Sequence, residues 1–332
     1  MTMKIAVVGT GGVAEKNYLP CIVEREDIQL SYLNRTRSKA EAVAEKFGGR
    51  VAADAADLLA DEPDTCLLFT KETDRLAAAN ALLPFKPKRL FFEKPLAARY
   101  GQADVVEEDF FDARDMLQAA HGAGVETAMV FNYRFFDQTR LAREIVERKA
   151  FGQPVHFTGL VHYNCWSHCI DLLLYFMGPA ASISAQASSP GKGADEARNV
   201  TVAARLANDA TGTLIGTSAI DTKLPLYELT FAYEHGRLRM RDLDGEMEVI
   251  NYRTGRHERH NLTFDISRWD QYRASFGKAI NAYLDSVRDG APPPIPGVAG
   301  LQELQFEAGI KRAIASGATV DLEAAFGLGG LS

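Results

Sequence analysis

The sequence predicts an α/β protein in which a doubly wound parallel sheet is followed by an α+β domain built on an open-faced, mostly antiparallel sheet. Short apolar runs alternate with helical patterns over residues 1–130, whereas strand-like runs follow one another beyond residue 150. The chain has 332 residues, which is too long for one ordinary core. We therefore expect one domain over residues 1–130 and a second over 131–332, with a last helix that packs back toward the first domain.

The first domain is expected to alternate strands and helices, as a parallel sheet requires. A helix is also expected to end near His121. The segment 97–112, with acidic residues at 107–109, is interpreted as an exposed loop or a lengthened helix start without an assigned chemistry. The predicted strands are apolar runs at residues 5–8, 28–33, 65–70, 89–92 and 125–131. The other predicted helices lie at residues 13–24, 38–47 and 73–83.

The second domain is expected to begin with a helix over residues 138–149 and to continue as a series of strands. Asn208-Asp209 and His235-Gly236 are interpreted as hairpin turns. Helices are expected at residues 269–288 and 298–316. The predicted strands lie at residues 154–163, 181–188, 199–208, 211–219, 226–234 and 237–242.

Composition limits the class of protein. The hydrophobic content of 46% and the charged content of 24% are typical of a soluble globular chain. The net charge of −7 argues against a general nucleic-acid binder. Four cysteines are too few for a disulfide scaffold and favour a reducing compartment. Without a signal peptide or a run of roughly 20 apolar residues, we expect a cytoplasmic protein that does not contact membranes.

The segment after the first predicted strand fits the G-x-G-x-x-G/A fingerprint of a Rossmann dinucleotide-binding turn. It consists of Gly9, Thr10, Gly11, Gly12, Val13 and Ala14. Gly9 permits the tight turn, Gly11 lets a pyrophosphate approach the backbone, and Ala14 allows close packing of helix on strand. The following helix offers free N–H groups and a positive dipole end to the phosphates. The pattern predicts a nicotinamide dinucleotide site.

The tip of the second predicted strand indicates which dinucleotide is bound. An acidic residue at this position would bind the adenosine ribose and repel a 2′-phosphate. The sequence instead has Asn34, Arg35, Thr36 and Arg37. A neutral side chain removes the repulsion, and two guanidinium groups with a hydroxyl can hold a phosphate. We expect NADP(H) to be preferred, with NAD(H) as the alternative.

With a Glu-Lys-Pro triplet after the fourth strand, the chain resembles the glucose–fructose oxidoreductase / inositol dehydrogenase / rhizopine-catabolism (GFO/IDH/MocA) family. The resemblance covers nearly the whole chain, and it implies the same open-faced second sheet. It is carried by residues 5–9, Leu19-Pro20, Glu93-Lys94-Pro95-Leu96, Asn132-Tyr133-Arg134-Phe135, residues 168–172 with Gly178, Gly300-Leu301 and residues 308–316.

The resemblance implies that Lys94 reaches the reacting oxygen beside the nicotinamide. Pro95 disfavours helical geometry at Lys94 and holds it extended at the carboxyl end of its strand, where such sheets bind ligands. Thr70 and Glu93 are assigned to the cofactor site with it. Without the resemblance, a surface lysine in a turn would be the more ordinary interpretation.

The resemblance also implies a catalytic histidine, at His168. On a helix, Asn164, His168 and Asp171 share one stripe. An imidazole suits proton exchange with an alcohol near neutral pH, and Asp171 could support it if it faces the ring. The ordinary alternative is a histidine packed under a helix end. Tyr133 is added as a substrate contact.

The sequence departs from the family where Asn164 occupies the position of an aspartate. Asn164 could orient substrate or merely cap the helix. Trp166 could form a platform for a sugar ring or fill the core. Thr70-Lys71-Glu72 also differs from the family's Thr-Pro-Asn. A metal site built from residues 162–169 is not expected, because Cys169 faces the buried side.

We expect an NAD(P)-dependent dehydrogenase or reductase that acts on the CH–OH group of a sugar, polyol or keto-sugar. Two alternatives remain open at this point, an NAD-dependent glycosidase of the same family and a non-catalytic dinucleotide-binding regulator. A homodimer or homotetramer is expected, because family members often associate through the outer sheet face.

Overall fold

The computed structural model describes residues 2–188, 199–217, 225–243, 245–262 and 267–331. The chain forms two compact units, each discontinuous in sequence. Unit 1 consists of Met1–Phe131, Phe276–Leu304 and Leu328–Ser332, and unit 2 consists of Asn132–Ser275 and Gln305–Gly327. The sequence analysis expected the last helix to return toward the first domain, and the segment that returns to unit 1 is Phe276–Leu304.

Unit 1 holds a six-stranded parallel sheet in the described part of the chain, with strand order β3-β2-β1-β4-β5-β6. Because β1 lies between β2 and β4, the carboxyl end of β1 is the point at which the strand order reverses. Ligands bind at such switch points in open α/β sheets. The strands are β1 (Met3–Val8), β2 (Ile28–Leu33), β3 (Arg50–Val51), β4 (Thr65–Leu68), β5 (Arg89–Phe92) and β6 (Glu126–Met129).

The helices of unit 1 largely follow the apolar spacing of the sequence. The glycine-rich turn leads into a π-helical turn (Ala14–Tyr18) that continues as α1. Strand β3 and helix α3 were not expected, since two and six residues respectively carry little periodic signal. The helices are α1 (Leu19–Ile22), α2 (Arg37–Phe47), α3 (Ala55–Ala60), α4 (Arg75–Leu82) and α5 (Glu107–Gly122).

The acidic run after residue 106 is the first turn of α5, so the helix-start interpretation holds for residues 107–112, whereas residues 97–106 form a loop before the helix. Asp109 is 2% exposed. Its carboxylate accepts hydrogen bonds from the backbone N–H groups of Val106 and Arg99, each at 2.9 Å. A carboxylate at a helix N-terminus satisfies free N–H groups and interacts favourably with the helix dipole.

Unit 1 also includes the second half of a long helix whose aromatic residues pack into its core. Tyr283 and Thr65 share a hydrogen bond of 2.6 Å between their hydroxyls. The ring of Tyr283 lies 4.4 Å from that of Phe91, centroid to centroid. The rings of Phe276 and Tyr18 are nearly perpendicular, with centroids 5.4 Å apart. This packing explains why residues 276–304 belong with the N-terminal sheet.

Unit 2 contains a nine-stranded sheet within the described ranges, in the order β14-β13-β12-β11-β7-β10-β9-β8-β15. Its pairs are antiparallel except for β7 with β10. The strands are β7 (Pro154–His162), β8 (Ala180–Ala187), β9 (Val200–Leu206), β10 (Thr211–Thr217), β11 (Tyr227–Tyr233), β12 (Gly236–Arg241), β13 (Glu246–Asn251), β14 (Arg256–Asn261) and β15 (Val320–Asp321).

The remaining helices complete the two units. Phe176 lies in the helix Trp166–Met177, and its ring stacks on that of Phe231 in β11 with the centroids 5.0 Å apart. The helices are α6 (Asp137–Arg148), α7 (Trp166–Met177), α8 (Arg268–Arg288), α9 (Val298–Ser316) and α10 (Leu322–Phe326). Two 3₁₀ turns, Asn132–Phe135 and Tyr163–Cys165, precede α6 and α7.

The structure confirms the predicted fold class and corrects two details. The hairpin between β11 and β12 turns at residues 234–235, since Tyr233 pairs with Gly236. Strands β13 and β14 were not expected. The end of the predicted strand 211–219 lies outside the described residues. In the part of the chain that is described, no helix has the length and apolar character needed to cross a membrane.

Candidate cofactor and catalytic sites

The glycine-rich turn follows β1 and leaves space above its backbone. Gly9 has φ +89°, and a Cβ built on it would lie 2.6 Å from the backbone nitrogen of Thr70. Any other residue would therefore clash with the segment after β4. No neighbouring atom lies within 4 Å of a Cβ built on Gly11 or Gly12. Ala14 is fully buried, as the close packing of helix on strand requires.

Two buried hydroxyls border this turn. Oγ1 of Thr10 and Oγ1 of Thr70 are buried and have no hydrogen-bond partner among the described residues. Buried polar atoms of proteins are nearly always satisfied, by protein, water or ligand. Together with the open backbone at Gly11 and Gly12, these hydroxyls fit a polar ligand such as a dinucleotide. Val13, at the start of the helix, is 44% exposed.

The residues at the tip of β2 have more partners than the sequence suggested. Oδ1 of Asn34 accepts from the backbone N–H of Thr10 at 3.2 Å, and its Nδ2 donates to the carbonyl of Thr36 at 3.0 Å. Asn34 therefore ties the glycine-rich turn to the loop before α2. The side chain of Arg35 is 86% exposed and lies 3.6 Å from Asp74.

The second arginine of this loop also has a carboxylate neighbour. Arg37 donates to Glu41 at 2.8 Å, one turn along α2. Thr36 is the N-cap residue of α2, without a side-chain capping bond. Because both arginines are largely exposed, their pairs are of the kind that contributes little to stability.

The Glu-Lys-Pro segment follows β5 at the same sheet edge as the glycine-rich turn. Glu93 is 7% exposed, and its carboxylate accepts from the Tyr18 hydroxyl at 2.8 Å. The Lys94 ammonium donates to Oε1 of Gln102 at 3.0 Å, and the Lys94–Pro95 peptide bond is cis. The carboxylate of Glu93 thus faces the interior of unit 1, whereas the Lys94 side chain reaches the loop after Pro95.

A buried arginine that the sequence analysis did not single out lies behind this segment. Arg75, at the start of α4, is 3% exposed. Its guanidinium donates to the carbonyls of Pro95 and of Thr70, the latter at 2.8 Å. Burial lowers the pKa of Arg75, while the nearby carboxylates of Glu93 and Glu72 act in the opposite direction. Nothing in the pattern of α4 distinguishes this arginine from one on a solvated face.

In unit 2, His168 lies in α7 and is 2% exposed. Its ring stacks on Tyr133 with centroids 3.9 Å apart and planes 6° from parallel. The Tyr133 hydroxyl lies 3.2 Å from Sγ of Cys165. Burial raises the pKa of Tyr133 well above its ordinary value, which favours the protonated phenol. The stacking fixes the plane of the imidazole.

The structure gives Asp171 a different role from the one expected from the sequence. Its carboxylate is 1% exposed and accepts from Nε of Arg134 at 2.9 Å and from Nη2 at 2.6 Å. Although burial lowers the pKa of Arg134, the carboxylate outweighs that effect and raises it. A buried carboxylate needs such a charged partner. The expected contact of Asp171 with substrate or with His168 is replaced by this ion pair.

The two remaining sequence candidates precede and begin α7. The backbone N–H of Asn164 donates to Nδ1 of His162 at 3.2 Å. The N-cap of α7 is Cys165, so the capping alternative for Asn164 is wrong. Its side chain is exposed. Across the described residues, no cluster of three His, Cys, Asp or Glu side chains has an arrangement suited to a metal ion.

Trp166 is a core residue. It is 4% exposed and stacks on Tyr163 with centroids 5.3 Å apart. A Cβ built on Gly216 of β10 would lie 2.8 Å from the indole, so the ring rests directly on the strand backbone. A platform for a sugar needs an uncovered ring face, which Trp166 does not offer.

Comparison with protein families agrees with this geometry. Residues 3–122 match the model described as an oxidoreductase family with an NAD-binding Rossmann fold. Residues 136–239 match the C-terminal domain of the same family. The chain belongs to the GFO/IDH/MocA family. The resemblance drawn from the sequence motifs is therefore confirmed, and the protein is a member of an oxidoreductase family with an NAD-binding Rossmann fold.

Individual relatives of this GFO/IDH/MocA protein are distant. The D-glucoside 3-dehydrogenase of Escherichia coli is 29% identical over 155 residues, which cover 46% of this chain and 41% of that protein. An oxidoreductase from Agrobacterium radiobacter in complex with NAD+, L-tartaric acid and magnesium is 18% identical with a TM-score of 0.80, covering 98% and 99% of the two chains. A dehydrogenase from Bordetella pertussis in complex with NADH and UDP-GlcNAcA is 19% identical with a TM-score of 0.74, covering 97% and 99%. These solved structures share the fold.

Proposed function

We propose that the protein is a dehydrogenase or reductase that prefers NADP(H) and exchanges hydride with a carbon of a sugar, polyol or keto-sugar. The observation that carries the proposal lies within unit 1. All the strands of the sheet are parallel, so the glycine-rich turn after β1 and Lys94 after β5 share its carboxyl edge. A dinucleotide cradle and an ammonium group at one edge suit hydride transfer to or from a carbonyl carbon.

The proposed chemistry assigns one task to each side chain. A bound nicotinamide would supply or accept the hydride. Lys94 binds the substrate oxygen and stabilises the negative charge that develops on it. His168 supplies a proton during reduction and removes one during oxidation. The stacking on Tyr133 supports this role of His168, because it limits the orientations of the ring.

Asn164 and Tyr133 have weaker roles in the proposal. The exposed side chain of Asn164 is available to a substrate hydroxyl. Tyr133 orients His168 by stacking, and its protonated hydroxyl does not act as a base.

The proposed preference for NADP(H) depends on Arg35. Its pair with Asp74 spans 3.6 Å on the surface and, like other exposed ion pairs, contributes about 0–1 kcal/mol. A charge-assisted hydrogen bond to a 2′-phosphate contributes about 1.5–3 kcal/mol. The phosphate therefore competes successfully for the guanidinium, and no carboxylate at position 34 opposes it. The relatives from A. radiobacter and B. pertussis contain NAD+ and NADH, which makes NAD(H) the alternative.

The substrate class follows from the E. coli relative, whose name is D-glucoside 3-dehydrogenase. We therefore expect a pyranose ring, free or glycosidic, to be oxidised at a secondary hydroxyl. The test is absorbance at 340 nm with NADP+ or NAD+ and a panel of methyl glucosides, aldoses and polyols, and with NADPH and keto-sugars in reverse. We expect turnover that Lys94→Met reduces by about 10²–10³. Absence of turnover across the panel, with dinucleotide binding intact, would contradict the proposal.

A further inference from the structure

We propose that Gln102 is a positioning residue for Lys94 and that Glu72 holds Gln102 in place. The inference rests on the proposed catalytic role of Lys94. It gives a function to two parts of the sequence that motif analysis left unexplained, the loop before α5 and the departure at Thr70-Lys71-Glu72.

Among the described residues, one amide oxygen binds the ammonium of Lys94. Nζ donates to Oε1 of Gln102 at 3.0 Å. A lysine side chain carries about 2 kcal/mol of rotamer entropy, so an unrestrained ammonium samples many positions. An acceptor oxygen that tethers Nζ without neutralising its charge leaves the ammonium able to bind a second oxygen. Gln102 therefore holds the charge ready for the substrate.

The backbone of Gln102 is in turn held by Glu72, which lies in the segment before α4. Its backbone N–H donates to Oε1 of Glu72 at 3.2 Å. Beside it, the backbone N–H of Ala98 donates to the carbonyl of Glu72 at 3.4 Å. Gly101, at φ +92°, brings the loop to within 3.7 Å of the Glu72 carboxylate, measured from a Cβ built on it. One residue thus binds the loop at two points.

The base of the same loop is fixed by Asp109. As described above, its buried carboxylate accepts the N–H groups of Arg99 and Val106, which flank Gln102 in sequence. The loop is therefore anchored on both sides of Gln102, and contacts within unit 1 hold the backbone from which its amide oxygen reaches Lys94.

The backbone end of Lys94 is fixed independently. Arg75 donates to the carbonyl of Pro95, the next residue, and to the carbonyl of Thr70. The segment 70–75 consequently holds Lys94 at its backbone through Arg75 and at its ammonium through Glu72 and Gln102. A misplacement of about 1 Å at a reacting group can cost 10²-fold in rate.

The experiment compares variants that remove or keep each hydrogen bond. Gln102→Leu deletes the acceptor for Lys94 and should lower kcat by about tenfold to a hundredfold, the scale of one bond to a charged group. The dissociation constant for NADPH should stay within about threefold, since the cradle is not touched. Gln118→Leu, the same substitution at another exposed glutamine of unit 1, should leave kcat unchanged.

Glu72 is tested by a conservative pair of variants. Glu72→Gln keeps an oxygen acceptor for the N–H of Gln102 and should retain kcat within about threefold, whereas Glu72→Leu should lose as much as Gln102→Leu. Equal losses in Glu72→Gln and Glu72→Leu would mean that the charge of Glu72, rather than its hold on Gln102, matters, and would overturn this part of the inference.

The decisive measurement is a double-mutant cycle with methyl glucoside or the best substrate of the panel. In a Lys94→Ala background, Gln102→Leu should produce no further loss, because Gln102 acts only through Lys94. Additive losses would overturn the inference. If Lys94→Ala itself keeps wild-type turnover, the proposed function fails first. If Lys94→Ala is impaired and Gln102→Leu is not, only the role of Gln102 fails.

Discussion

At the scale of single residues, the charge of Arg35 tests the cofactor preference. Its side chain is 86% exposed, so Arg35→Ala should leave the fold intact. We expect the dissociation constant for NADPH to rise about tenfold to a hundredfold and that for NADH to stay nearly constant, because only NADPH carries the 2′-phosphate. Fluorescence titration at fixed ionic strength measures both constants.

The matched control for Arg35 is Lys88→Ala. Lys88 is exposed, paired with Asp64, and precedes β5 at the amino edge of the sheet. This variant removes one positive charge without touching the tip of β2, so the dissociation constants for NADPH and NADH should both stay unchanged. Tighter binding of NADH than of NADPH by the wild-type protein would exclude the preference for NADP(H).

His168 tests the source of the proton. His168→Asn removes the imidazole, and we expect a loss in kcat of about 10²–10⁴, the usual scale for a positioned acid or base. Tyr133→Phe keeps the ring that stacks on His168 and removes only the hydroxyl, so its loss should be much smaller. The prediction is checked by measuring the pH dependence of kcat for the wild-type protein and for both variants. An unchanged pH–rate profile in His168→Asn would assign the proton to another group.

Individual residues could be predicted from the sequence where they belong to a recognisable motif. Gly9 was expected from its role in the fingerprint, and the structure gives the reason in its positive φ and its approach to Thr70. Arg75 and Gln102 could not be found in this way. Their partners lie in other loops, and a helical arginine or a loop glutamine carries no signal until the fold brings those loops together.

At the scale of elements, the turn after β1 is tested by a pair of glycine substitutions. Gly9→Ala and Gly48→Ala both introduce a Cβ at positive φ, which costs about 1–3 kcal/mol. Only Gly9→Ala also meets the backbone of Thr70, whereas a Cβ on Gly48 meets no atom within 4 Å. We expect Gly9→Ala to weaken NADPH binding by about tenfold or more, and Gly48→Ala to leave it unchanged.

Calorimetric titration with NADPH checks this prediction, after circular dichroism has shown that both variants are folded. Equal binding by Gly9→Ala and Gly48→Ala would remove the glycine-rich turn from the cofactor site.

The attachment of α7 to the turn before α6 depends on the buried pair Arg134–Asp171. Asp171→Asn leaves the guanidinium without its charge partner and should lower the free energy of unfolding by about 3–5 kcal/mol. Glu147→Gln, which removes a carboxylate from the exposed pair with Arg143, should cost less than about 1 kcal/mol. Urea denaturation gives both values. A near-normal stability of Asp171→Asn would show that the pair is not structural.

Elements were predictable where they carry a periodic apolar pattern. The last long helix was expected at residues 298–316, the bounds that it has in the structure. Strand β14 was missed because its six residues, Arg256–Asn261, are polar throughout and become a strand only by pairing with β13. The same reason applies to β3, whose two residues are defined by pairing with β2.

At the scale of the whole molecule, the order of strands and helices predicted the fold class, and the resemblance of several motifs to known proteins predicted the family. This order was not sufficient to predict which segments of the chain make up each unit. Tyr283 is more than 150 residues away in sequence from its partners Thr65 and Phe91, and an amphipathic helix does not indicate which sheet covers its apolar face. The assignment of residues 276–304 to unit 1 therefore required the structure.

Net hydride transfer distinguishes the proposed oxidoreductase from the two other functions that this scaffold allows. A glycosidase that oxidises and re-reduces its substrate returns the hydride to the same molecule, and a regulator binds the dinucleotide without chemistry. In both cases the cofactor is not consumed.

Hydride transfer to the sugar is tested by isotope transfer from NADPH deuterated at carbon 4 of the nicotinamide. The protein is mixed with this cofactor and a keto-glucoside, and the products are analysed by mass spectrometry. The deuterium is placed on one face of the nicotinamide ring at a time. We expect one of the two labelled cofactors to transfer one deuterium to the new carbinol carbon of the sugar for each NADPH oxidised. Tight binding of NADPH with no oxidation, or an oxidation that leaves the sugar unlabelled when each face is deuterated in turn, would contradict the account.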